Sequence, residues 1–198
     1  MNKLERTWLT WKHRRKFARL GKGCQFPIPQ LCVQGHVEMG DYCRFRNDVT
    51  LRTHGNGKII FGTRSGLSWG CLAEAWDRIE IGNYTAIAEF SWLCDSMPVL
   101  QGAPQPRGRE ARITKPIRIG DNVFVGSGCI IGPGVTIGDG AVVGPFSIVT
   151  RDVGPMEIWT GAPARKMGHR TEGVSEEQLQ AYRDMLEQQG LLQDRYLE

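Results

Sequence analysis

The chain has 198 residues, 25 Lys and Arg against 21 Asp and Glu for a formal net charge of +4, and 40% hydrophobic residues, enough for one domain with its own core. Its 25 glycines exceed the roughly 7% average share, yet they follow neither the strict third-residue period of collagen nor a low-complexity linker. No apolar stretch approaches the roughly 20 residues that cross a bilayer, and the first residues are charged with no apolar signal core, so the sequence predicts neither a membrane span nor a secretory leader. The six cysteines (Cys24, Cys32, Cys43, Cys71, Cys94, Cys129) form no C-x-x-C pair, which removes the zinc-ribbon and thioredoxin-like patterns and predicts reduced thiols in a cytoplasmic protein.

The first predicted element is a basic helix from about Leu4 to Leu20, with Leu4, Trp8, Trp11 and Leu20 as docking positions, capping one end of the domain. Its run Lys12-His13-Arg14-Arg15-Lys16 holds the excess charge. One short basic run argues against nucleic acid as a partner; a solvated helix face, or a peripheral contact with an anionic membrane, accounts for it.

From residue 33 an apolar residue recurs every six positions: Val33, Met39, Phe45 and Leu51, then Phe61, Leu67 and Ala73, then Ile81, Ile87 and Leu93. The run Ile119, Val125, Ile131, Ile137, Val143 and Val149 is unbroken, and its first five members are each followed by glycine. The fifth place of each hexad holds a small or β-branched residue: Val123, Cys129, Val135, Ala141, Ser147 and Val153. A period of six is neither a helix face nor strand alternation. It is the hexapeptide period of a parallel β-helix, with one hexad per side of a triangular coil and the apolar residue pointing inward.

The register slips after Leu51, Ala73 and Leu93, where the next hexad starts ten, eight and twenty-six residues later. Counted in threes, these residues fall on one side of the prism together with Val33, Ile131 and Val149, so all three insertions leave from one edge. With coils about 4.8 Å apart, His54, Glu74 to Trp76 and Asp95 to Met97 should form a short column there. The excursion Pro98 to Pro116 is too long for a simple connection and reads as a loop reaching a neighbouring subunit. A second helix begins at Ser175, with Gln178 three places on in a capping-box spacing and Leu179, Tyr182, Met185 and Leu186 on one stripe. The predicted boundaries are 1–32 for the N-terminal helix and cap, 33–168 for the β-helix, and 169–198 for the C-terminal helix.

The phrases I-R-I-G-D-N-V-F-V-G-S-G-C-I-I-G-P-G-V-T-I-G-D-G-A-V-V-G-P-F-S-I-V-T-R-D-V (117–153) and G-A-P-A-R-K (161–166) resemble the hexapeptide-repeat acyltransferases. The resemblance covers about Gly35 to His169. It implies an all-β fold, a left-handed parallel β-helix of about five or six coils with short terminal helices. It implies further a homotrimer and transfer of an acetyl or related acyl group from coenzyme A. The acceptor would be a hydroxyl or amine of a small molecule, first a sugar, a nucleotide-linked sugar or a glycan precursor. For the donor it implies that Ser127, Gly144, Pro145 and Thr150 line the pantetheine groove, that Phe124 forms its aromatic wall in the place of a family tryptophan, and that Arg165 and Lys166 meet the phosphates of acetyl-CoA.

For the acceptor the resemblance departs. Relatives carry a histidine before the long loop as general base; here the segment reads L-C-D-S-M-P-V, and Met97 stands in that place. A family asparagine that contacts the acceptor corresponds to Gly70. Three explanations remain open. Asp95 supplies the base, with Glu74 and His54 one and two coils below as further catalytic candidates; a neutral amine acceptor needs no protein base; or catalysis is lost and the chain is a trimeric binding scaffold. No metal is expected, because a γ-type carbonic anhydrase needs three zinc-binding histidines and His36 and His54 do not supply them.

Overall fold

The computed structural model describes residues 8, 11–26, 31–99, 111–178, 180, 181 and 184. The chain winds into a left-handed parallel β-helix of about six turns, with three sheets as the faces of a triangular prism. The first face stacks Arg19–Leu20, His36–Met39, Lys58–Phe61, Arg78–Ile81, Ile117–Ile119 and Thr136–Ile137. The second stacks Arg44–Phe45, Gly66–Leu67, Ala86–Ile87, Phe124–Val125, Val142–Val143 and Glu157–Gly161, with Ala164–His169 folded back antiparallel on the last. The third stacks Cys32–Gln34, Thr50–Thr53, Leu72–Ala75, Trp92–Cys94, Ile130–Ile131 and Ile148–Val149.

The hexad positions are in register rung by rung. On the third face Val33, Leu51, Ala73, Leu93, Ile131 and Val149 are successive partners. The first face runs Met39, Phe61, Ile81, Ile119, Ile137, and the second Phe45, Leu67, Ile87, Val125, Val143. Nearly all are buried, as are Val123, Cys129, Val135, Ala141, Ser147 and Val153 at the corners. Burying each large aliphatic side chain contributes about 1.5 to 3 kcal/mol, so the repeat is also the stability of the fold. Buried polar residues at corners donate to carbonyls of the next coil, Thr85 Oγ1 to Gly120 O at 2.7 Å and Ser91 Oγ to Gly126 O at 3.0 Å, which removes the cost of burying a hydroxyl. Glycine is required where coils stack at a corner: at Gly62 a Cβ would lie 2.6 Å from the Gly82 carbonyl carbon.

The prism starts earlier than the hexads from Val33 suggest. Leu20 is not the end of a helix; Arg19–Leu20 is a strand paired with Glu38 and Met39. The helical residues 11–13 and the 3-10 turn Arg14–Lys16 precede it, so the helix ends before the predicted Leu20 and the boundary at 33 moves down by a coil. Phe17, Phe26, Phe45 and Phe61 follow one another with ring centroids 5.1, 5.4 and 5.1 Å apart, stacked at first and edge-on by the last pair, and fill this end of the prism. The spacing of Leu20 and Phe26 already carries the period, but a seven-residue step to Val33 hides it.

At the other end, Gly161-Ala162-Pro163-Ala164 turns the last two strands of the second face into a hairpin, with Trp159 taking the inward position above Val143. The capping box forms as expected: Ser175 N–H donates to Gln178 Oε1 at 2.9 Å and Gln178 N–H to Ser175 Oγ at 3.2 Å. The stripe Leu179, Tyr182, Met185 and Leu186, and Leu4 at the other terminus, lie outside the described residues.

Candidate functional site

The three insertions leave from the edge where the third face turns into the first. There His54 follows strand Thr50–Thr53, Trp76 follows Leu72–Ala75, and Asp95 follows Trp92–Cys94. Glu74 sits on the outer side of its strand, one rung from Arg52. Its Oε1 is 2.8 Å from His54 Nε2 and 3.5 Å from an Arg52 terminal nitrogen. The His54 ring lies flat on Trp76, centroids 4.2 Å apart and planes 17° from parallel. The Arg112 guanidinium lies 4.6 Å from the Trp76 ring centre and donates from Nε to Ser96 Oγ at 2.8 Å. The His54 and Glu74 side chains keep 30% and 17% of their exposure, so the pair is open to a ligand but not fully solvated.

With Nε2–H donated to the Glu74 carboxylate, the lone pair of His54 resides on Nδ1, which engages no partner among the described residues. A neutral imidazole oriented by a carboxylate can take a proton from a hydroxyl, and the carboxylate then stabilises the imidazolium. Trp76 fixes the ring plane. This part of the predicted column therefore assembles into a dyad on an aromatic platform.

Asp95 does something else. Its side chain is buried, 0% exposed. Oδ1 accepts from Trp76 N–H at 2.8 Å, and Oδ2 from Asp77 N–H at 2.8 Å and Arg78 N–H at 2.7 Å. Both oxygens are thus committed to the backbone of the coil below, and burial leaves an acceptor molecule no approach. The carboxylate that ranked first as a base on sequence grounds is a clip that shapes the turn carrying Trp76. Met97 is exposed and pairs with Ile113 in a two-stranded antiparallel stalk, Ser96–Pro98 with Arg112–Thr114, at the root of the long excursion. Residues 100–110 of that excursion lie outside the described residues. Gly70 stands on a different edge, in a left-handed turn with φ of +65°, where the Phe90 ring lies against it.

The other histidines are elsewhere. His36 pairs with Glu38 at 2.7 Å on the first face, which holds the Glu38 carboxyl below its usual range; His13 is buried at the foot of the prism, and His169 lies near the C-terminal helix. What sequence reasoning missed is the Arg112 contact and the stacking of His54 on Trp76, because neither residue type at an insertion reveals which neighbour it faces.

The residues expected for the donor are not gathered on one edge of one chain. Ser127, Gly144 and Pro145 lie in turns between the second and third faces, with Ser127 Oγ donating to Glu89 Oε2 at 2.8 Å and Gly144 N–H to Trp159 O at 2.7 Å. Thr150 follows the last strand of the third face and shares the edge of His54, four rungs above it, roughly 19 Å. Phe124 is exposed on the outside of the second face. In the hairpin, Lys166 Nζ is 2.7 Å from Glu157 Oε1, and this contact, then Trp159 Nε1 and Gly154 N–H, holds the Glu157 carboxyl down at about 2. Arg165 donates to the neighbouring Ala164 carbonyl at 2.8 Å and is otherwise exposed, as is Lys166 beyond its pair with Glu157.

The family described as bacterial transferase hexapeptide (six repeats) matches residues 116–151. That stretch is the unbroken run of hexads at the top of the prism, and the chain carries there the hexapeptide repeat that the family model describes. This hexapeptide-repeat protein is similar to a probable acetyltransferase of Mycobacterium tuberculosis, 28% identical over 152 residues, which is 76% of this chain. It spans about half, 49%, of that relative. Among solved structures it is similar to a mutant of AntD, an N-acyltransferase from Bacillus cereus in complex with dTDP and coenzyme A, at a TM-score of 0.73 and 20% identity over 90% of this chain and 95% of that one. That likeness shows the fold. A hexapeptide-repeat acetyltransferase of Vibrio cholerae complexed with acetyl coenzyme A aligns at a TM-score of 0.58 and 25% identity, over 85% of this chain and 78% of the other.

Proposed function

We propose that this protein transfers an acetyl or related acyl group from coenzyme A to a hydroxyl of a small acceptor, with His54 as general base and Glu74 orienting it. The observation that carries the reading is the 2.8 Å contact between His54 Nε2 and Glu74 Oε1, with the His54 ring flat on Trp76, at the edge from which the three insertions leave. The coenzyme A complexes of the Bacillus and Vibrio proteins support the donor, and the dTDP bound to the former supports a nucleotide-linked sugar as the acceptor. His54 Nδ1 takes the hydroxyl proton as the oxygen attacks the thioester carbonyl. The carbon–sulfur bond then breaks, and the proton passes from the imidazolium to the departing thiolate.

The assembly we propose is a homotrimer. The outer side of the third face carries Leu72, Trp92, Ile130 and Ile148 in register, flanked by exposed Phe90 and Phe146. The outer side of the first face is charged instead, with Glu80 paired to Arg78 and Arg118. An apolar stripe of this kind fits a second copy, and the dyad stands at its rim. Ser127, Gly144, Pro145 and Phe124 from one copy and Thr150 from the next would then line one donor groove, with Arg165 at the phosphates. All six cysteines are free thiols, in keeping with a reducing, cytoplasmic setting.

The test is steady-state acetyl transfer to a panel of sugar hydroxyls and amines, with acetyl-CoA binding followed by calorimetry. His54→Gln should lower kcat by about 10² to 10⁴ and leave donor affinity unchanged. Undiminished turnover on an amine would replace the base by direct amine attack, and absence of donor binding in the parent protein would reject the enzyme.

A further inference from the structure

From Arg6 to Val37 the chain has seven Lys and Arg residues and no Asp or Glu. That exceeds the formal net charge of +4 for the whole chain, so the remainder is acidic on balance. The described residues of this segment lie at the foot of the prism. His13 and Phe17 are buried, Phe17 stacks on Phe26, Lys16 Nζ donates to Leu31 O at 2.6 Å, and Ala18 N–H donates to Val37 O at 2.9 Å, so the segment is fastened to the lowest coil. Two tryptophans face outward, Trp8 at 56% and Trp11 at 69% exposure, with Lys12, Arg14 and Arg15 exposed beside them. Lys12 Nζ lies 5.4 Å from the Trp8 ring centre.

Tryptophan is an amphipathic ring that sits well at the headgroup level of a bilayer, and cations beside it are attracted to anionic lipid. A nucleic acid would satisfy the cations but leave no reason for two exposed indoles on the same segment. We propose that the foot of the prism docks on an anionic lipid bilayer, with Trp8 and Trp11 entering the interface and Lys12, Arg14 and Arg15 meeting headgroup phosphates. His54 stands two rungs, roughly 10 Å, above the level of Ala18, so docking brings that edge close to the membrane surface. The proposal stands or falls independently of the role given to His54.

The experiment is co-sedimentation of the full chain with vesicles of phosphatidylcholine alone and with vesicles that also contain phosphatidylglycerol. The parent protein should pellet with the anionic vesicles and not with the zwitterionic ones. Arg14→Glu with Arg15→Glu should lower the partition by more than an order of magnitude, since each cation near the surface contributes roughly fivefold. Trp8→Ala with Trp11→Ala, changes at exposed positions, should also weaken it while circular dichroism and oligomeric size stay unchanged. Equal recovery of the parent protein in the supernatant with both vesicle types overturns the proposal. So does an undiminished partition of the double tryptophan variant accompanied by equally tight binding to duplex DNA, which would make the foot a polycation without lipid preference.

Discussion

Two edges of the prism use the same chemistry to different ends. Where the first face turns into the second, Asp41, Asn83, Asp121 and Asp139 each reach down one coil and accept a backbone N–H, from Lys22, Thr63, Asn83 and Asp121, at 2.7 to 2.9 Å. The coils there follow one another without inserted residues and the result is a ladder. Where the third face turns into the first, Asp95 performs the same task with three N–H groups, but on an insertion that also carries Trp76 to His54. A carboxylate at an edge is therefore a structural device by default in this fold. Chemistry becomes available only where an added residue supplies a side chain that the ladder does not consume.

Changes at the two edges should separate these roles. Asp95→Ala takes the acceptor from three partly buried backbone N–H groups, and at about 1 kcal/mol for each it should cost about 3 kcal/mol, read as a lower midpoint in urea. Turnover of the folded fraction at parent level would show that Asp95 acts on the fold alone. Trp76→Ala removes the platform under His54 and should lower kcat by about tenfold, as expected for a misplaced base, with little change in the KM for acetyl-CoA; unchanged kcat would mean that Glu74 alone orients the ring. Asp139→Ala, on the exposed ladder, should cost only about 1 kcal/mol and leave kcat untouched. A cost matching that of Asp95→Ala would erase the distinction between the edges.

Acid provides a fourth probe. The folded state holds the Glu157 carboxyl down at about 2, below its ordinary value near 4.5, through Lys166, Trp159 Nε1 and Gly154 N–H. A carboxyl depressed in this way stabilises the hairpin above its ordinary value and loses that contribution as pH falls from about 4.5 toward 2. Hydrogen exchange in residues 157–169 should therefore quicken over that window before the central coils respond. Glu157→Gln should abolish the pH step, and a step that persists in the variant would assign it to other carboxylates, such as Asp121, whose carboxyl the Asn83 N–H also holds low.

Much of the architecture is legible in the chain because a hexad repeat makes each apolar position an address. Leu51, Ala73 and Leu93 could be assigned to one face, and their insertions to one edge, by counting alone. The lowest coil escaped because its step from Phe26 to Val33 breaks the period, and its aromatic filling resembles a cap more than a repeat. The candidate site was legible as a set but not in its roles. Counting puts His54, Glu74 and Asp95 on one edge, but it does not tell the buried Asp95 from the partly exposed His54 and Glu74.

What the sequence by itself determined is the period, the three faces and the edge that carries the insertions. Those come from spacing, since every residue of a regular hexad has one permitted direction. The tertiary structure alone decided that Asp95 turns inward onto three amides while His54 turns outward onto Trp76 and Glu74. Inserted residues have no such fixed direction; theirs is set by which unpaired backbone groups in the neighbouring coil must be satisfied first.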